Sequence, residues 1–238
     1  QRDSDIFVII TNPPYNSNQQ NEMDNNKNRK YPELEKEIRK TYSKDSRATN
    51  NKNLDDPYVK AIKWASKRIG TEGIVAMITN NSFIDNYAFD GMRKHLGQDF
   101  DKIYVLDLKG NIRKDSMKDG IPLGEKHTVF GLAAMVGISI SFFIKSSTIK
   151  DKSIQYFDVP FRSTREEKFE ILDNTKDSDG IKWRKLEPNK NHTWLTEGMA
   201  EDFDGYIIMS DRKVWNSEIQ TKIFEDYSLG VNSNRDSW

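Results

Sequence analysis

"DIFVIITNPPYNSN", residues 5–18, decides how the rest of the chain is read. Ile6, Phe7, Val8, Ile9 and Ile10 form an unbroken run of β-branched and aromatic residues, which predicts a buried strand. The run passes straight into Asn12-Pro13-Pro14-Tyr15. Each proline fixes its own φ and presses the preceding residue into an extended conformation, so the turn is stiff. Neither proline carries an N–H, which leaves nearby carbonyls with few local partners. Asn12 offers a side-chain carbonyl and Pro13 a backbone one. Two rigid acceptors so placed match an exocyclic NH2 group, and Tyr15 adds a flat face on which a planar ring can stack.

Working outward, residues 16–30 are polar and without hydrophobic period, a loop longer than most connections. "YPELEKEIRKTYSKDS" follows with Pro32 where a helix can start. In "DDPYVKAIKWASKRIG", Asp55 or Asp56 can cap a helix, Pro57 suits its first turn and Gly70 can end it. Tyr58, Ala61, Ile62, Ala65 and Ile69 fall on one stripe of it. "GIVAMITNNSFI" predicts a second buried strand ending in a polar turn, "AFDGMRKHLGQDF" a helix and "KIYVLDLKG" a third strand. After a loop at 109–127, rich in glycine and lysine, residues 136–145 predict a hairpin or one long bent strand.

Strands alternating with helices argue for an α/β domain with a largely parallel sheet, its apolar strands covered on both faces. The absence of a helix before the last strand hints at a closing antiparallel one. Past Lys150 the periodicity fades, and a boundary is expected near 148–152. Ligands of such sheets gather outside the carboxyl ends of the strands. Asn12 to Tyr15 stands at one such end; Asn80, Asn81, Ser82 and Phe83 end the neighbouring strand and can line the same cleft. Ordinary turn chemistry is the alternative reading of Asn80-Asn81-Ser82.

Composition sets the outer bounds. The chain has 238 residues, 35% of them hydrophobic and 31% charged, so it can bury a core beneath a heavily solvated surface. There is no cysteine, which excludes disulfides, thiolate nucleophiles and cysteine metal sites. Lys+Arg and Asp+Glu stand at 37 each, so any nucleic-acid face must be local. Lys27, Arg29, Lys30, Arg39, Lys40, Lys44 and Arg47 form either a phosphate-facing patch or a solvated helix face. His95, His127 and His192 stand singly, without metal-ligand spacing. Trp183, Trp194, Trp215 and Trp238 are expected as packing anchors. No run approaches a membrane span. The chain starts at Gln1, without a methionine, and is expected to be part of a longer protein.

An exocyclic amine on a base is a poor nucleophile, because its lone pair is delocalised into the ring. Two acceptors on its protons favour a pyramidal nitrogen able to attack a methyl group on a sulfonium donor, without a metal. A base inside a duplex must be flipped out to reach such a site. Asn12-Pro13-Pro14-Tyr15 after a hydrophobic strand resembles the catalytic motif of amino-group methyltransferases acting on adenine N6 or cytosine N4. "GIVAMITNNSFID" is similar to the family's next strand and turn, and "HTVFGLAAMVGISISFFIK" to its final hairpin. "YVKAIKWASKRIG", "AFDGMRKHLGQDFDKIYVLDLKGN" and "GVNSNRDSW" resemble the methyltransferase part of large single-chain restriction–modification enzymes.

The resemblance implies a partial Rossmann-like methyltransferase sheet, the catalytic half, over 1–147. A smaller α+β segment, 148–238, would lead into a target-recognition region. It implies S-adenosylmethionine as methyl donor, adenine N6 in double-stranded DNA as acceptor, further domains of the same polypeptide, and a bacterial cytoplasmic setting. Asn12 and Pro13 would accept the amine protons and Tyr15 would stack on the base. Phe130 would form the second wall, with a plain core aromatic as the alternative. The family holds its donor on a glycine-rich turn; no GxG occurs in this chain, and that element is expected upstream of Gln1. The isolated chain is therefore expected to be inactive, with its sheet edge along 5–11 apolar, unpaired and prone to association. Asn-Pro-Pro-Tyr also marks enzymes that methylate protein glutamine. That activity, an RNA methyltransferase, and a non-catalytic DNA-binding scaffold are the competing readings.

Overall fold

A computed structural model describes residues 5–14, 30–111, 117–118, 121–122, 128–131, 135–175 and 177–196, with Ile207 and Ile223 as single residues. The chain divides into two compact units, Gln1–Thr196 and Glu197–Trp238, and every helix and strand described lies in the first.

The strands are β1 (Val8–Thr11), β2 (Gly73–Asn80), β3 (Lys102–Lys109), the two-residue pair β4 (Met117–Lys118) and β5 (Ile121–Pro122), β6 (Ile138–Lys145), β7 (Ser153–Asp158) and β8 (Arg184–Leu186). Six of them form one sheet in the order β1-β2-β6-β3-β7-β8. The sheet is mixed. β1 runs parallel to β2 and β3 parallel to β7, whereas β6 is antiparallel to both of its neighbours and β8 antiparallel to β7. The expected largely parallel sheet is corrected accordingly. Residues 138–145 form a single strand, and the antiparallel strand sits between β2 and β3 instead of closing an edge. Eight paired positions against β2 and seven against β3 hold it there, flanked on both sides.

The helices are α1 (Pro32–Ile38), which tightens into a π turn over Arg39–Ser43, α2 (Pro57–Arg68), α3 (Ser82–Asp85), α4 (Asp90–Asp99) and α5 (Arg165–Asn174). Proline opens α1 and α2, where a missing N–H costs nothing, and α2 stops before Gly70, at φ +68°. Tyr58, Ile62, Ala65 and Ile69 bury the expected stripe of α2, joined by Val59. Thr164 and Glu167 cap α5 reciprocally. One core joins α1, α2 and α4 to a face of the sheet through Ile62, Val75, Val105 and Phe143. The opposite face carries a smaller cluster of Leu106, Leu108, Val129, Ile138 and Val159, beneath Ile171 and Leu172 of α5. Alternation along β3 sends Ile103 and Val105 to one core and Leu106 and Leu108 to the other.

The first strand departs from its sequence reading. It is four residues long, and of its apolar run only Ile9 is buried; Phe7, Val8 and Ile10 are 60%, 59% and 79% exposed. Among the described residues β1 pairs with β2 alone, so it is an edge. The boundary expected near 148–152 falls between β6 and β7, and the sheet runs across it. Trp194 is buried and packs edge-on against Phe83, centroids 5.9 Å apart, while Trp183 meets Tyr104 at 5.1 Å. Trp215 and Trp238 lie outside the described residues. No helix among those residues is long and apolar enough to cross a membrane.

Candidate functional site

Parallel pairing carries Thr11 level with Met77, so Asn12, Pro13 and Pro14 leave the sheet at the end where β2 runs out into Asn80 and Asn81. Pro13 is buried and anchors the turn, while Asn12 and Pro14 are exposed. Tyr15 lies outside the described residues.

The neighbouring turn is more heavily tied. Asn80 is buried, and its Oδ1 accepts from the Ser82 N–H at 2.8 Å, starting α3. The Asn81 N–H donates to the Gly137 carbonyl at 2.9 Å. The side chain of Asn81 then crosses the start of β6, and its Nδ2 donates to Oδ1 of Asp107 at 2.8 Å. Adjacent strands lie about 4.8 Å apart, so this bond spans the gap of roughly 10 Å between β2 and β3. Glycine at 137 makes the crossing possible: a Cβ there would stand 2.4 Å from Asn81 Oδ1 and 2.6 Å from its Cγ.

Asp107 is the centre of this network. Its Oδ1 also accepts the Lys109 N–H at 2.9 Å, and its Oδ2 accepts from the Tyr156 hydroxyl at 2.9 Å. Burial pushes its carboxyl above the usual carboxylate range, against the opposing pull of Asn81, the Lys109 N–H, Tyr156 and the Lys109 charge. Burial and the facing Asp107 and Asp158 push the Tyr156 phenol far up, so it stays a donor. A bulge after Asp107 and a left-handed Lys109, at φ +54°, turn the chain out of β3. Lys109 Nζ pairs with Asp158 Oδ2 at 2.5 Å. Asn81, Asp85, Asp107, Lys109, Tyr156 and Asp158 line a cleft of about 260 Å³.

The other predicted site residues divide. Phe130 is 38% exposed in a turn closed by the Thr128 hydroxyl on the Gly131 carbonyl at 2.7 Å. Its neighbour Val129 packs with Leu108, Ile138 and Val159, which brings the turn to the same end of the sheet. Phe83 is corrected: it is fully buried against Tyr58 and Trp194 and has no face to offer a base. α3 rolls it inward as soon as the strand ends. In the basic stretch, Arg39 pairs with Glu35 and Arg47 with Asp90; Lys27 and Arg29 lie outside the described residues. No cluster among the described residues could hold a metal ion. Asp107, Tyr156 and Gly137 were not singled out in the sequence. The available signal was an aspartate within the apolar run of "YVLDL", 104–108.

Comparison with known proteins decides the family of this region. Residues 3–112 match the family model described as Eco57I restriction-modification methylase. The chain carries a restriction–modification methyltransferase region. Three solved structures resemble it closely. The cryo-EM structure of the DrdV–DNA complex aligns over 100% of this chain and 23% of its own, at 38% identity and TM-score 0.80. The ATP-dependent Type ISP restriction–modification enzyme LlaBIII, bound to DNA, aligns over 89% of this chain and 14% of its own, at 36% identity and TM-score 0.77. A nuclease-deletion mutant of the Type ISP enzyme LlaGI, in complex with a DNA substrate mimic, aligns over 88% and 20%, at 32% identity and TM-score 0.77. The methyltransferase region thus spans a quarter or less of the length of these structures. No curated protein matches the chain.

Proposed function

We propose that this chain forms the acceptor side of a DNA amino-methyltransferase that transfers a methyl group from S-adenosylmethionine to adenine N6, within a bacterial cytoplasmic restriction–modification polypeptide. The observation that carries the reading is the stiff Asn12-Pro13-Pro14 turn at the carboxyl end of β1, inside the residues that match the methylase family. Asn12 Oδ1 and the Pro13 carbonyl accept the two protons of the flipped amine, so the nitrogen lone pair is drawn out of the ring. Tyr15 and Phe130 supply the stacking faces, and a stacked base gains about 1–3 kcal/mol, which offsets part of the unstacking cost. Asn80 and Asn81 bound the cleft from the adjacent strand. Residues 148–238 lead into the target-recognition region, and duplex DNA is the partner, as in the complexes of the structural relatives.

S-adenosylmethionine supplies an electrophilic methyl group when bound. The described turns do not fit it: the one after β1 is built of proline, and nowhere in the chain do two glycines flank a single residue. The residues of this chain are therefore assigned to the amine alone.

The test is methyl transfer from labelled donor to unmodified duplex DNA by the polypeptide that carries this chain, with its Asn12→Ala variant. Label on adenine N6, reduced at least a hundredfold in the variant, is expected. Label on cytosine, RNA or a protein glutamine would move the assignment to that substrate. Unchanged label in the variant would remove Asn12 from the mechanism.

A further inference from the structure

Asn81 lies on the rim of the proposed acceptor site, yet its side chain is held from the far side of β6. We propose that Asp107 is a positioning residue that fixes the amide of Asn81 to read the ring nitrogen beside the amino group of the bound base. This rests on the reading of the Asn12 turn as an amine site.

An asparagine amide can normally turn over and exchange its carbonyl for its NH2 group. Asp107 removes that freedom. Its Oδ1 is an acceptor 2.8 Å from Asn81 Nδ2 and already takes the Lys109 N–H, while its Oδ2 is held by Tyr156. Only the NH2 end of Asn81 can face such a carboxylate. The amide also lies flat over Gly137, where a Cβ would come within 2.6 Å of Oδ1, Nδ2 and Cγ together. One Nδ2 hydrogen is spent on Asp107, so Oδ1 and the second Nδ2 hydrogen remain. An amino base whose two amine protons are taken by Asn12 and Pro13 still presents a ring nitrogen as acceptor. That is N1 or N7 in adenine, and the free hydrogen of Asn81 is the complementary donor. Asp85, Asp107, Lys109 and Asp158 are the charged groups around the cleft, and Lys109 is paired with Asp158.

The experiment is an NMR titration of the 238-residue chain with adenosine, 1-deazaadenosine and 7-deazaadenosine, repeated on Asp107→Asn, Asn81→Ala and Asn12→Ala. The unaltered chain is expected to bind adenosine about fivefold more tightly than one of the two analogues, the scale of one hydrogen bond. In Asp107→Asn and Asn81→Ala that ratio falls to about one, while adenosine still shifts the Asn12 signals. If Asp107→Asn does not fold, Tyr156→Phe, which frees Asp107 Oδ2, takes its place with the same expected loss of ratio. Equal binding of all three nucleosides by the unaltered chain, or a ratio unchanged in the variants, overturns the proposal and leaves the amine site standing. Adenosine binding that is absent, or unaffected by Asn12→Ala, overturns the amine site and this proposal with it.

Discussion

Asp56 opens α2 with Oδ1 buried and without a hydrogen-bond partner, and burial pushes its carboxyl up to about 7. The nearby Tyr58 hydroxyl is likewise buried without a partner, so no donor stabilises the ionised form from that side. Ionising Asp56 in the folded chain is therefore harder than in the unfolded one. Its contribution to stability is complete below about pH 4, the range of a free aspartate, and is lost as pH rises through about 7. Asp56→Asn should match the unaltered chain in urea unfolding at pH 4. At pH 8 it should be the more stable, by a difference on the order of 3 kcal/mol. A constant difference across that range would show that Asp56 is solvated. Arg93 is the contrasting case. It is buried, and burial lowers it to about 10, but its guanidinium donates to the carbonyls of Phe83, Asn86 and His192 at 2.8–2.9 Å and stays charged at neutral pH.

At the scale of the element, β1 has the largest consequence. Phe7, Val8 and Ile10 stand exposed on a strand whose second edge has no partner among the described residues. Such an edge invites pairing with another chain. The isolated chain should therefore self-associate in light scattering at micromolar concentration, and Ile10→Lys should return it to the monomer mass without altering its circular dichroism. A monodisperse unaltered chain would mean that the edge is covered. The apolar runs at 73–80, 102–109 and 138–145 were legible because each is continuous, and α2 because proline and glycine bracket one stripe. The position of β6 was not legible, since its pairing joins residues some sixty positions from β2 and nothing local encodes it. Phe83 was misread for a related reason: its turn looks polar in sequence, while Tyr58 and Trp194, which enclose it, are distant. The Asn12 turn was visible because proline chemistry is local. Asp107 was not, because its partners arrive from β2 and β7.

At the scale of the whole molecule, the sheet ignores the change of composition near residue 150. β7 pairs with β3 over six residues, Tyr156 closes the Asp107 network, and Trp194 seals Phe83. A chain ending at residue 150 loses all three, along with β8. It should lack a cooperative unfolding transition, whereas a chain ending at Thr196 should keep one. A cooperative transition from the shorter chain would place an independent folding unit within 1–150.

The threading of β6 also bears on how the chain is made. Residues 73–80 and 102–109 leave the ribosome before 138–145, yet they cannot touch as strands, because the place between them belongs to a segment not yet synthesised. At about 5–20 residues per second the wait is a few seconds. For that interval two apolar strands stand side by side with a vacant slot, open to any extended peptide that can hydrogen-bond on both sides.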